Sequence, residues 1–200
     1  MKVEMEAIEK NNTWELTDLP KGVKPIGVKR VFKTKLNESG EVEKHKAGLV
    51  AKGCAQRYGI DYMEVFAPVA RLDTVRLILA LVAQYEWEIF QLDVKSAFLH
   101  GKHEEEVFIE QPERFIKKGK EDKVYRLKKA LYDLKQAPRA WYTKIEAYFI
   151  REGFEKCSRE HIFITKKEGG NILIVSLYVD DLILKMSKLM TLEAFNNCFV

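Results

Sequence analysis

An α+β fold built around an antiparallel, split βαβ (ferredoxin-like) layer is what this sequence predicts, and three observations lead there. The apolar pattern switches between a period of about two and one of about 3.6, in the order of a β-rich start followed by β, α, β, β, α, β, β. Turn residues separate the strand-like runs where tight connections need them, at Asn37-Glu38-Ser39-Gly40 and at Gly169-Gly170. The third observation is the run 172–184, two apolar β-prone stretches with Asp180 and Asp181 set between them. It reads as a strand, a tight turn and a returning strand, with both acids at the bend. Asp is a favoured turn residue, so the pair alone fits an ordinary hairpin as well as a metal site. Two carboxylates beside a core repel one another, and a hard divalent cation such as magnesium would relieve the repulsion. A third acid, Asp93, ends the strand-like run 87–92. Strands remote in sequence can lie side by side in an antiparallel layer, which would bring Asp93 next to Asp180.

Taken in order, residues 1–10 read as a short amphipathic helix, broken at Asn11-Asn12-Thr13 before Trp14-Glu15-Leu16 extends. Pro20-Lys21-Gly22 is a turn. Residues 28–36 and 42–53 form a hairpin carrying Lys29, Lys33 and Lys35 on one strand and Lys44, Lys46 and Lys52 on the other. Such a basic ribbon serves either as a polyanion surface or as a solvated hairpin whose lysines protect its edges. After Pro68, Asp73 or Thr74 is expected to cap a helix over 75–85, with Leu77, Ile78, Leu81 and Val82 turned to the core. A strand over 88–94 leads into a compact turn that breaks at Gly101. The exposed acidic run Glu104-Glu105-Glu106 follows, then short strands over 107–109 and 124–127 around a lysine-rich loop. Pro138 opens a helix over 139–151, and Gly153 stands where a C-terminal cap belongs. Residues 162–165 then pair with 172–178.

Two hundred residues at 46% hydrophobic content allow a packed core, in one domain or one domain plus a subdomain, and exclude a disordered chain. The net charge of +4 tolerates a polyanionic partner without requiring one. Cys54, Cys157 and Cys198 are odd in number, far apart and form no C-x-x-C pair, which argues against a disulfide framework or zinc site and fits a reducing compartment. The histidines lack ligand spacing. No apolar run approaches the roughly eighteen residues of a membrane span, and the charged N-terminus carries no export signal, so a soluble protein is expected. The aromatic K/R-G-F-G-F-V pattern of a ferredoxin-like RNA-binding module is missing, as is the Gly-rich phosphate loop expected of a phosphoryl-transfer enzyme such as a nucleotide cyclase.

Five collinear runs resemble the reverse transcriptase of copia-type LTR retrotransposons: N-T-W-E-L at 12–16, A-x-L-V-A-K-G at 47–53, Q-L-D-V-K-S-A-F-L-H-G at 91–101, L-K-Q-A-P-R-A-W-Y at 134–142 and Y-V-D-D at 178–181. The resemblance implies an RNA-directed DNA polymerase, a nucleotidyltransferase within a Pol polyprotein. It implies a polymerase palm over roughly 73–104 and 138–200, with a basic hairpin in fingers spanning roughly 12–72 and part of 105–140. Asp93, Asp180 and Asp181 match the catalytic carboxylates that hold two Mg2+ (or Mn2+) ions, and no organic cofactor is implied. Phe98 matches the aromatic residue that blocks a ribose 2′-hydroxyl. Tyr132, Lys135 and Gln136 would border the incoming nucleotide or template, Lys46 and Lys52 would face the triphosphate, and Lys29, Lys33 and Lys44 would bind nucleic acid. The implied partners are an RNA template, a DNA primer, deoxynucleoside triphosphates and the other Pol domains, integrase and RNase H, with no membrane. The implied setting is cytoplasmic, inside a virus-like particle in the intact element, or nuclear. Three departures stand against this pattern: Gly48 where the family usually has Arg, Asp133 where it usually has Gly, and a chain that stops at Val200 soon after the acidic pair. They lead to the expectation of a fragment without thumb or RNase H, with impaired synthesis. The alternative is a catalytically inactive relic that binds nucleic acid weakly.

Overall fold

The computed structural model describes residues 1–158, 160–168, 171–179 and 181–185. In chain order these form α1 (Lys2–Lys10), β1 (Trp14–Thr17), β2 (Val28–Leu36), β3 (Val42–Ala51), α2 (Leu72–Gln84), β4 (Ile89–Asp93), β5 (Phe108–Ile109), β6 (Val124–Leu127), α3 (Ala137–Arg151), β7 (Glu155–Lys156), β8 (Phe163–Glu168), β9 (Asn171–Tyr178) and β10 (Asp181–Lys185). The fold is mixed α and β with antiparallel sheets. It divides into two compact units, Met1–Val65 with Phe98–Trp141, and Phe66–Ala97 with Tyr142–Val200. No helix among the described residues is long and apolar enough to cross a membrane.

In the first unit, α1 buries Met5 and Ile8, which stand about one turn apart on one face. The expected break follows, with Asn11 as C-cap and Asn12 at φ 50. β1, β6 and β5 make a small sheet in the order β1-β6-β5, where Trp14 stacks on Tyr125 with ring centroids 4.2 Å apart. Leu16 is the residue opposite Tyr125, so the two aromatics are diagonal neighbours across the pair, a spacing that large rings can span. This pairing departs from the single sheet expected from the element order. β6 has both edges saturated by β1 and β5, and hydrophobic period says nothing about which strand supplies the partner.

β2 and β3 form the two-stranded ribbon foreseen in the sequence, closed by an Asx turn in which Asn37 Oδ1 accepts the N–H groups of Ser39 (3.0 Å) and Glu41 (2.8 Å). The second strand stops at Ala51 rather than Gly53. A side chain at Gly53 would place its Cβ 1.8 Å from the Asp133 carbonyl oxygen, so only glycine lets the two backbones pass. Ala51 N–H donates to Tyr132 O (2.9 Å) and Lys52 N–H to Gly27 O (2.7 Å), anchoring the ribbon at its base.

The second unit holds a five-stranded sheet in the order β4-β10-β9-β8-β7. Leu173, Ile174, Val175, Ser176 and Leu177 of β9 are all buried, so this strand is covered on both faces. At the edge, β4 alternates: Ile89, Gln91 and Asp93 are exposed, while Phe90 and Leu92 are half-buried. β7 was not foreseen, because two residues are too short to show a period.

α2 begins earlier than expected, at Leu72, after an extended Arg71 with no side-chain cap. Neither proposed cap residue serves. Asp73 sits inside the first turn and pairs with Arg76 at 3.6 Å, and the Thr74 hydroxyl donates to Glu160 at 3.3 Å. Ile78 is buried as expected, but Leu77 is 60% exposed, so the buried stripe is narrower than the apolar pattern implied. At the end of α3, Gly153 adopts φ 81, its N–H bonds Ile150 O, and Phe154 N–H bonds Phe149 O, which is the expected left-handed cap.

Candidate active site

The acidic end of the five-stranded sheet is set by strand register. β9 ends at Tyr178 and β10 begins at Asp181. The bend differs from the one expected: Asp181 is the first residue of the returning strand, and the left-handed corner falls on Val179 at φ 56. A β-branched residue is strained there. Asp180 lies outside the described residues.

Antiparallel pairing places Asp181 opposite Asp93 on β4 and opposite Tyr178 on β9, a single row across three strands. The next row is Leu92, Leu182 and Leu177, on the opposite face. Leu182 is 1% exposed and Leu177 3%, so the apolar row pins the register. A slip of one residue would exchange the leucines for the acids at the buried face. Asp93 is exposed, which leaves this margin open to solvent. Directly opposed positions have Cβ atoms about 4.5–5.5 Å apart, close enough for like charges to destabilise each other. A donor set of carboxylate oxygens suits a hard cation that keeps part of its water shell, as magnesium does. Among the described residues no cluster of three His, Cys, Asp or Glu side chains forms.

The residues expected to border a nucleotide belong to the first unit. Phe98 lies in a 3-10 turn, Ala97–His100, and is nearly buried, its ring edge-to-face on Tyr132 at 4.8 Å. Lys135 Nζ lies 3.2 Å from the Tyr62 hydroxyl and 4.9 Å from that ring's centre. Gln136 is 2% exposed, with both polar atoms of its amide hydrogen-bonded inside the unit. Its Oε1 accepts from Gln56 Nε2 (2.9 Å) and its Nε2 donates to Asp61 O (3.0 Å), while Gln56 Oε1 accepts the Lys135 N–H (2.8 Å). Gln136 therefore fixes the loop that carries Lys135. Gln56, Asp61 and Tyr62 were not singled out in the sequence, and no spacing signal could have found them, because each acts through a partner far along the chain. Tyr178 stands within Y-V-D-D, but only the register puts it in the acidic row.

On the ribbon, Lys33 stands opposite Lys46 and Lys35 opposite Lys44, on the face shared with Lys29, Val31, Gly48 and Val50. Lys29 Nζ pairs with the Asp133 carboxylate at 3.0 Å. Lys46 has a carboxylate within electrostatic reach: burial pushes the Glu4 carboxyl up, while the Leu49 N–H and the charges of the chain terminus and Lys46 pull it back. Lys52 is exposed just beyond the end of β3. A Cβ built at Gly48 would meet nothing within 4 Å, so the missing arginine left open space rather than a repacked core.

Comparison with known proteins places these features in a family. Residues 11–199 match the family described as reverse transcriptase (RNA-dependent DNA polymerase). Over 185 residues the chain is 44% identical to the retrovirus-related Pol polyprotein from transposon TNT 1-94 of Nicotiana tabacum, covering 92% of this chain and 14% of that protein. It is 40% identical over 185 residues to the Pol polyprotein from transposon RE2 of Arabidopsis thaliana (92% and 13%). It is 32% identical over 188 residues to the transposon Ty1-ER2 Gag-Pol polyprotein of Saccharomyces cerevisiae (90% and 10%). The chain thus spans between 10% and 14% of these relatives. It belongs to the reverse transcriptase family, in the form found in the Pol polyproteins of copia-type retrotransposons.

Proposed function

We propose that the chain catalyses RNA-directed DNA synthesis as the palm and fingers of a retrotransposon Pol polyprotein. The observation that carries this reading, beside family membership, is the opposed register of Asp93 and Asp181 at the exposed margin of a pinned sheet. The unit bearing that sheet is assigned as palm and the unit bearing the ribbon as fingers. Asp93, Asp180 and Asp181 would hold two magnesium or manganese ions. Such ions, when bound, activate a primer 3′-hydroxyl and neutralise charge on the triphosphate and its leaving group.

The chain's own side chains supply position and charge. Phe98, kept rigid by Tyr132, would exclude a ribose 2′-hydroxyl and so select deoxynucleotides. Tyr132 and Lys135 would border the incoming nucleotide or template, with Gln136 acting through the loop it fixes. Lys46 and Lys52 would neutralise the triphosphate, and Lys29, Lys33 and Lys44 the nucleic-acid backbone. The partners of this reading are an RNA template, a DNA primer, deoxynucleotides and the neighbouring Pol domains, integrase and RNase H, in a virus-like particle.

Primer extension on an RNA template with magnesium tests it. Incorporation by the wild-type chain, abolished in Asp93→Asn and in Asp181→Asn, is the expected result. Absence of incorporation, or incorporation indifferent to both substitutions, overturns it. A second reading, binding without synthesis, is favoured by Gly48 and by the charge at Asp133. It predicts that Gly48→Arg, whose Cβ would meet nothing within 4 Å, restores incorporation to an inactive wild-type chain.

A further inference from the structure

The lysine face of the ribbon has one cation already engaged from within the chain. Lys29, Lys33, Lys35, Lys44 and Lys46 share that face, with Lys33 opposite Lys46 and Lys35 opposite Lys44. Like charges in directly opposed positions destabilise a free hairpin, and a row of phosphodiesters laid along the face would relieve them. No ion pair among the described residues holds Lys33, Lys35 or Lys44. Lys29 differs, because its ammonium lies 3.0 Å from the Asp133 carboxylate.

Asp133 occupies an unusual place. Its backbone is at φ 71, in the left-handed region that glycine enters freely and that Asp and Asn tolerate less well. The ion pair does little to offset that strain. Its two side chains are 49% and 52% exposed, so water screens their attraction. The main consequence of the carboxylate falls on what Lys29 can bind.

We infer that Asp133 is a resident competitor for the phosphodiester backbone: it occupies Lys29 and sets the affinity of the ribbon for single-stranded nucleic acid below what its lysines would otherwise give. This rests on reading the ribbon as a nucleic-acid surface, and it adds a residue that lowers affinity by design of the chain rather than by absence of contacts. Freed of the carboxylate, Lys29 can neutralise one more phosphate. Each phosphate neutralised on a single strand steepens the dependence of log affinity on log salt by about 0.7, or about fivefold in affinity for each tenfold dilution of salt.

The experiment is binding of a labelled single-stranded oligouridylate to the full chain across a salt series, read by fluorescence anisotropy without metal or nucleotide. Asp133→Asn, which keeps the side-chain size and tolerates the backbone, is expected to bind about fivefold more tightly at 0.1 M salt, with a slope steeper by about 0.7. Asp133→Gly is expected to show the same gain, and thermal unfolding of each sample confirms that folded proteins are compared. In a Lys29→Gln background the gain from Asp133→Asn should shrink to the screened effect of one distant charge. Equal affinity and slope in the wild type and both Asp133 variants overturn the inference, as does an undiminished gain in the Lys29→Gln background. Failure of all variants to bind overturns the ribbon surface itself, whereas binding without primer extension overturns only the polymerase reading.

Discussion

Two antiparallel segments of this chain place like charges directly opposite each other, and they hold them by different means. At the acidic margin, Asp93 and Asp181 are opposed across β4 and β10, beside a row of leucines that are buried or half-buried. In the ribbon, Lys33 faces Lys46 and Lys35 faces Lys44, and along most of the ribbon's length both faces meet solvent. The sheet can carry electrostatic repulsion because burial of its other face pins the strands; the ribbon is packed near its base, where Leu49 and Ala51 are buried, and relies on its backbone ladder and turn towards its tip. A two-stranded hairpin by itself is marginal in water. The contrast separates a sheet margin held by burial on its other face from a ribbon exposed along most of its length.

The largest expected effect removes the support of the acidic row. Leu182→Ala deletes a fully buried side chain next to Asp181 and should cost about 2–5 kcal/mol, measured by denaturant unfolding. Loss well below that range would mean that the leucine row does not pin the register. Next comes the cation. Magnesium at about a hundred times its dissociation constant should stabilise the wild-type chain by about 2.7 kcal/mol, and this shift should vanish in Asp93→Asn. A magnesium shift that survives the substitution places the ion elsewhere.

The base of the ribbon is tested by Gly53→Ala, whose Cβ would strike the Asp133 carbonyl. Destabilisation of about 1–3 kcal/mol is expected, with faster amide exchange in β3. The smallest effects compare the repulsions themselves. Without metal, Asp93→Asn should stabilise the chain by about 0.2–1 kcal/mol, and Lys44→Glu, opposite Lys35, should stabilise the ribbon by a similar amount. Opposite signs in these last two measurements would show that the charges are already compensated, and the comparison would lose its basis.

Much of the molecule was legible locally. The break after α1, the hairpin loop at Asn37, the ribbon strands and the Gly153 cap all follow from short-range chemistry: side chains that bond the nearby backbone, or a glycine that accepts a left-handed turn. The failures are equally physical. The cap of α2 was misread because Asp73 and Thr74 found partners in Arg76 and Glu160 instead of the helix end. Leu77 was expected inside because helical periodicity shows a stripe but not how much of it a neighbouring surface covers. The left-handed corner of the β9–β10 hairpin fell on Val179 and Asp181 went to the returning strand, since the pattern does not mark where a turn ends when the flanks are equally apolar.

By itself the sequence determined the local elements, which carboxylates and lysines to examine, and membership of the reverse transcriptase family. Periodicity, turn chemistry and motif order are properties of neighbouring residues, and they survive without knowledge of the fold. Only the tertiary structure decided that Asp181 stands opposite Asp93 in strand register, that β6 joins β1 and β5 rather than β4, that Gln136 points its amide inward and that Asp133 takes hold of Lys29. Each of these is a choice among distant partners. For the strand pairings it is settled by which arrangement buries the most apolar surface and satisfies the most backbone groups, a competition that no single stretch of sequence can report.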